Sequence, residues 1–361
     1  MTKGRVIFSK SNLKYTKILF TLFFLIFFFV NAFGMEHLFY VLHNKSSSSI
    51  QHTLNILSKH TQSIHTLILQ AYQIDQHGNV SGYVNPPILK FAKQHAIKQL
   101  ALVTNASFDD SAVHQFLHHP LAQKKALQTL LELCKKNQYD GIQFDFEMIS
   151  LQDRNSLTEF YCSAAQLLHA HHLLVSFAIA PQLSPSSPYQ KRLYEVWKGA
   201  YDLKALSHFA DFVSIMAYNQ HEHGTVPGPT AGIQWTEAVV NYALHYMPAE
   251  KISLGIPTYS SYWYTGTPSG KPHGKIATRL AEITYHEVLG LLKKYHTHLQ
   301  WNPNDKIHYA MYERNWLNEY IFAEDAASFK EKTALAKKYQ LKGISVFYLG
   351  IEDPNIWRVL Y

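Results

Sequence analysis

Nine consecutive residues, Tyr139-Asp-Gly-Ile-Gln-Phe-Asp-Phe-Glu147, constrain the fold of this chain more than any other stretch. From Ile142 onward the pattern alternates. Ile142, Phe144 and Phe146 fall on one face of a strand, and Gln143, Asp145 and Glu147 on the other. Helical periodicity flanks it. Pro120–Lys136 carries a stripe of Leu121, Leu127, Leu130, Leu131 and Cys134, and Asp153–His171 follows. A strand between two such helices belongs to a parallel sheet, which is normally apolar on both faces. Three polar side chains on one inner face carry a desolvation cost. A half-exposed edge strand would avoid that cost. A barrel strand would use it, because barrel enzymes keep their chemistry at the C-terminal strand ends. On that second reading Asp145 and Glu147 are neighbours two residues apart, and one carboxylate raises the pKa of the other. A general acid still protonated near neutral pH needs that arrangement.

The rest of the chain repeats the strand-helix rhythm. Further strands are expected at Leu38–Leu42, His65–Tyr72, Gln99–Thr104, Leu173–Ala180, Phe209–Tyr218, Lys251–Pro257 and Gly343–Leu349. Further helices are expected at Ile50–Ser58, Pro87–His95, Trp235–Tyr246, Asp325–Tyr339 and Asp353–Leu360. Pro181–Gln190 reads as a Pro/Ser-rich loop. The rhythm breaks between Thr258 and Tyr320. There a helix near Tyr285–Tyr295 and short strands near Leu299–Trp301, His308–Tyr312 and Trp316–Phe322 are expected. The fold class is therefore α/β: a (β/α)8 TIM barrel with a small α+β insertion after strand 7, at about residues 265–320. The 361 residues suffice for it.

The N-terminus reads as a leader. Lys3, Arg5, Lys10, Lys14 and Lys17 precede an apolar run from Ile18 to Val30, and Ala32-Phe-Gly34 offers small residues for cleavage. The run is short against the roughly 20 residues of a spanning helix. Residues 1–34 are thus expected to be a signal peptide, residues 35–361 the barrel, and the location extracytoplasmic, periplasmic or secreted. An uncleaved membrane anchor is the alternative. The formal charge is +7, but five basic and no acidic residues lie in the first 34, leaving +2. That balance implies no nucleic-acid partner. The two cysteines, Cys134 and Cys162, are too few for a disulfide framework and sit in apolar helical patterns.

The signature stretch resembles the glycoside hydrolase family 18 motif Asp-x-x-Asp-x-Asp-x-Glu, with Asp140, Asp145 and Glu147 in register and Gln143 at the second Asp. It is most similar to the bacterial spore-cortex N-acetylglucosaminidase branch, which also has an amide there. The likeness extends through Leu102–Asn105, Val175–Pro181, Asp211–Asn219, Lys251–Pro257 with Tyr259, Gly343-Ile-Ser and Leu349-Gly350. Asn219 departs from the Asp of many members. Phe347, beside Tyr348, replaces the Trp that floors the sugar site.

The resemblance implies an exported glycosidase acting on a polysaccharide that contains N-acetylglucosamine, with no cofactor. Glu147 would be the acid/base. Asp145 and Tyr218 would hold the 2-acetamido group that acts as the nucleophile, and Gln143 would hydrogen-bond Asp145 and fix its rotamer. Asp145 is then expected to stay ionised to lower pH than beside a second Asp. Gln70 and Asn219 would bond sugar hydroxyls. Tyr72, Tyr259, Tyr262, Trp263 and Phe347, at expected strand ends or just after them, would stack on sugar rings, with core packing the alternative for each. An inactive glycan-binding relative is the competing reading. His169, His171 and His172 lie at a helix end far from the signature strand, and His221 and His223 lie in a loop without Cys or a helical i, i+4 spacing, so no metal is expected.

Overall fold

Eight parallel strands close into a barrel in the computed structural model, which describes residues 34–42, 46–223, 225–265, 278–314 and 317–361. In chain order the strands are β1 (Glu36–Val41), β2 (Thr66–Ile74), β3 (Val80–Gly82), β4 (Lys98–Asn105), β5 (Gly141–Asp145), β6 (Leu174–Ile179), β7 (Phe212–Ile215) and β8 (Ile252–Pro257). An inserted sheet follows, made of β9 (Ser260–Thr265), β10 (Thr278–Ile283), β11 (Gln300–Asn302), β12 (Ile307–Arg314) and β13 (Leu317–Ala323). β14 (Gly343–Phe347) is the last barrel strand. Neighbours run β1-β14-β8-β7-β6-β5-β4-β2, and β1 pairing with β2 closes the ring. β3 lies antiparallel on β2 and stays outside the ring. The fold is the (β/α)8 TIM barrel expected from the sequence.

The helices are α1 (Ser47–His60), α2 (Pro86–Gln94), α3 (Asp110–Leu117), α4 (Pro120–Asn137), α5 (Arg154–His169), α6 (Pro188–Val196), α7 (Leu203–Phe209), α8 (Ile233–Leu244), α9 (Tyr285–Lys294), α10 (Ala326–Lys338) and α11 (Trp357–Leu360). α9 packs on the inserted antiparallel sheet, ordered β10-β9-β13-β12-β11. Three helices, α3, α6 and α7, and the hairpin β9–β10 were not foreseen. On α4 the stripe is turned slightly from the expected one. Ala122 and Ala126 are buried with Leu127, Leu130, Leu131 and Cys134, while Leu121 is exposed.

The strand alternation divides two interiors. Ile142, Phe144 and Phe146 point outward, and the latter two join Phe116, Phe160, Tyr161 and Phe177 in an aromatic cluster under the helices. Gly141, at the start of β5, is required by close strand approach: a Cβ there would sit 2.1 Å from the Leu174 carbonyl oxygen. The bore holds a small apolar cluster of Leu38, Tyr40, Ile68, Leu100, Leu102 and Phe212. Beside it runs a ring of neutral polar side chains, described with the site. The expected leader lies, apart from Gly34, outside the described residues. No helix among the described residues is long and apolar enough to cross a membrane.

Candidate active site

β5 aims Gln143 and Asp145 into the bore, and Glu147 follows just past its end. Asp145 and Glu147 line one cleft of about 250 Å³ at the C-terminal face of the barrel. The backbone carrying Glu147 is held on two sides. The Asn105 side chain accepts from the Glu147 N–H at 2.9 Å and donates to its carbonyl at 3.1 Å. The Tyr201 hydroxyl donates to the Phe146 carbonyl at 2.6 Å. These three bonds fix the peptide units on which Glu147 hangs, so its carboxyl is positioned through its backbone.

Burial pushes the Glu147 carboxyl up to about 7, and the Glu222 carboxylate adds to the rise. Asp145 is also held well above the usual carboxylate range, by burial and then by Glu147. Its Oδ1 is buried, and no group among the described residues hydrogen-bonds it.

This overturns the expectation for Gln143. Its amide nitrogen donates to Ser176 Oγ at 3.1 Å and Ser214 Oγ at 3.0 Å, and its oxygen accepts from Tyr40 Oη at 2.6 Å. Ser214 and Ser253 each bond Ser345, at 2.8 and 2.6 Å. Gln143 is thus fully buried in a ring of hydroxyls contributed by β1, β6, β7, β8 and β14. With its donors engaged there, it neither supports the Asp145 carboxylate nor reaches a ligand, and Asp145 is not held ionised to low pH.

Four expected residues meet in the cleft: Tyr218, Asn219, Tyr259 and Phe347. Phe347 stacks on Tyr218 with ring centroids 5.3 Å apart, and Tyr40 and Tyr259 meet it edge-on. After β7 the chain turns tightly, with the Tyr218 N–H donating to the Met216 carbonyl at 2.7 Å and Asn219 at φ 56°. That turn delivers Tyr218 and Asn219 to the cleft. Asn219 is tied to the wall, because its Oδ1 accepts from Tyr259 Oη at 2.5 Å. Gln70 also lines the cleft.

Tyr72 does not. The β2–β4 register slips between Gln70 and Tyr72. One extra residue in a strand reverses the side-chain alternation. Tyr72 therefore points out among the helices, where its hydroxyl accepts from Asn137 at 3.0 Å and its ring meets Tyr139 edge-on. Trp263 is buried, with its indole N–H donating to the Gly228 carbonyl, and Tyr262 donates to Glu319 within the inserted sheet.

Sequence reading missed Glu222, Glu282 and Lys198, which also line the cleft. Glu222 follows β7, and a Thr225 hydroxyl that bonds both its N–H and its carbonyl fixes it. Glu282 lies on β10, so the insertion supplies one cleft wall, and burial raises its carboxyl. Lys198 lies beyond α6 and feels Glu222, though burial lowers its pKa. A second hollow of about 260 Å³, walled by Tyr189, Tyr194 and Trp235, extends the cleft past Lys198, Asn219 and Glu222. Glu222→Gln should let Glu147 ionise at lower pH. The alkaline limb of a kcat/KM profile should move acidward by up to about one pH unit. An unmoved limb would mean that Glu222 does not act on Glu147.

A carboxyl protonated near pH 7 beside a second carboxyl, under aromatic walls, can protonate a leaving oxygen of a bound sugar chain. Placed at the C-terminal end of a barrel, this defines a glycosidase. The profile of Glycosyl hydrolases family 18 matches residues 21–352, and the chain belongs to that family. It is 23% identical over 312 residues to the uncharacterized glycosylase YvbX of Bacillus subtilis, covering 85% of this chain and 86% of that one. It is 29% identical over 258 residues to the cortical fragment-lytic enzyme of the same organism, covering 71% of this chain and 57% of the enzyme. The fold superposes on the spore cortex-lytic enzyme SleL of Bacillus megaterium with a TM-score of 0.76 at 24% identity, covering 90% of this chain and 73% of that one. A chitinase from Chromobacterium violaceum gives 0.78 at 23% identity, covering 91% and 98%.

Proposed function

We propose that the protein is an exported hydrolase of β-linked N-acetylglucosamine-containing glycan, of peptidoglycan or chitin type, that retains configuration through substrate assistance. The observation that carries this reading is one cleft in which Glu147, raised to about 7, stands beside Asp145, whose buried Oδ1 is unmatched. The names of the relatives, a cortical fragment-lytic enzyme and a chitinase, support the substrate class.

Glu147 protonates the glycosidic oxygen, then takes a proton from the incoming water. The acetamido oxygen of the sugar attacks the anomeric carbon, as in the substrate-assisted members of the glycosidases. Asp145 receives the acetamido N–H and offsets the charge of the oxazolinium ion, and Tyr218 donates to the same group. Phe347, stacked on Tyr218, floors the site.

The test is mass spectrometry of products from purified peptidoglycan and from chitin oligomers. New reducing ends at N-acetylglucosamine are expected. Binding of both glycans with no cleavage at any pH would overturn the reading in favour of a glycan-binding protein. Export rests on the leader: N-terminal sequencing of secreted material should begin near Met35, whereas a chain retaining Lys3 in the membrane fraction would mark an anchor.

A further inference from the structure

Away from the cleft, α3 carries His114, and the residue that caps its C-terminus is His118, four positions on. Both rings converge on Asp153, at the turn that opens α5. His114 Nδ1 lies 2.9 and 3.0 Å from the two carboxylate oxygens, and His118 Nε2 lies 2.9 Å from Oδ1. Two nitrogens and one oxygen, all within 4.8 Å of one another, form the one such cluster among the described residues. Asp153 is 4% exposed at its side chain, while the two rings are 57% and 51% exposed. The carboxyl group is therefore built into the protein, and the two imidazoles stand open to solvent.

We propose that His114, His118 and Asp153 bind a divalent cation of the zinc class. Two imidazoles and one carboxylate match the donor preference of that ion, and three protein ligands leave one tetrahedral position for water. Zinc held at about 2.0–2.1 Å by each ligand separates the ligand atoms by roughly 3.3 Å. The nitrogen-to-oxygen spacings here are a few tenths of an ångström shorter, so small ring movements admit the ion. Magnesium and calcium favour all-oxygen shells and are the wrong class.

The site has a mechanical role that follows from what it joins. α3 follows β4, which ends in Asn105, the residue that clamps the Glu147 backbone. Asp153 closes the loop that starts at Glu147. The cation ties these two segments together outside the cleft. It takes no part in bond cleavage.

Untagged full-length protein, stripped with a chelator and dialysed, is titrated with Zn(II) beside the double variant His114→Ala/His118→Ala. With 22 histidines in the chain, weak surface binding is a background common to both, so the difference is the readout. Wild type should bind one equivalent more than the variant, with a dissociation constant in the micromolar range or tighter. Its Tm should rise by about 3 °C at hundredfold excess over that constant. Mg(II) should give neither effect. Both imidazoles are more than half exposed, so the variant should fold. His118→Ala alone, losing at least tenfold in affinity, is the independent check. Equal stoichiometry, with the same Zn(II)-induced change in Tm for wild type and both variants, would overturn the proposal and leave the cluster as histidine–aspartate hydrogen bonds.

Discussion

Glu147→Gln should abolish turnover while leaving glycan binding intact. The amide keeps the shape of the side chain, and the clamps from Asn105 and Tyr201 act on backbone atoms, so they survive the change. What disappears is the proton. General acid catalysis contributes about 10²–10⁴-fold, and kcat on a soluble N-acetylglucosamine oligomer should fall by that amount. KM should move far less. A variant retaining a tenth of wild-type kcat would exclude Glu147 as the acid. The same substitution should raise stability, with a defined pH dependence. A carboxyl raised from its ordinary value to about 7 by folding resists ionisation in the native state. The unfolded chain binds fewer protons between those two values, so wild-type stability falls as pH rises through that window. The penalty is complete above pH 7 and absent below the unfolded pKa. Glu147→Gln removes it. The gain at pH 8 should be on the order of 2 kcal/mol, read by denaturant unfolding, and should vanish near pH 4.

Asp145→Asn should be nearly as damaging, for a different reason. The Asp145 carboxyl receives the acetamido N–H and, as a carboxylate, would offset the positive charge that develops on the bound sugar. An asparagine carries no such charge. A loss of about 10²–10³-fold in kcat is expected, the scale seen when one preorganised electrostatic partner is removed. The companion measurement uses substrate. A glycan whose 2-amino groups are deacetylated carries no internal nucleophile and should resist cleavage by wild type. Equal rates on acetylated and deacetylated chains would exclude substrate assistance and leave a role for Asp145 that this geometry does not supply.

The barrel was legible because its information is local. Alternation in residues 142–147 and helical stripes on either side are written within a few turns of each element. α3 was legible too, and went unread. Asp109 caps it by accepting from the Ala112 N–H, and Val113, Phe116 and Leu117 give the helical spacing. α6 also carries its start signal, Ser187 followed by Pro188. Other features had no local signal. The partners of Gln143 come from β1, β6 and β7, up to 103 residues away in the chain. Glu282 reaches the cleft only because β10 folds back against β9. The slip that turns Tyr72 outward depends on how β2 pairs with β4, and the run Gln70-Ala-Tyr72 by itself continues the alternation that would point both side chains inward.

The ring around Gln143 also governs where protons can travel. Serine and tyrosine hydroxyls can pass a proton along a hydrogen-bonded chain, because each gives one and takes one. The Gln143 amide holds both of its nitrogen protons, and it sits between Tyr40 on one side and Ser176 and Ser214 on the other. The amide is therefore a link in the ring that does not relay a proton. A relay across the bore would have to pass beside it, from hydroxyl to hydroxyl, where Ser214 meets Tyr40.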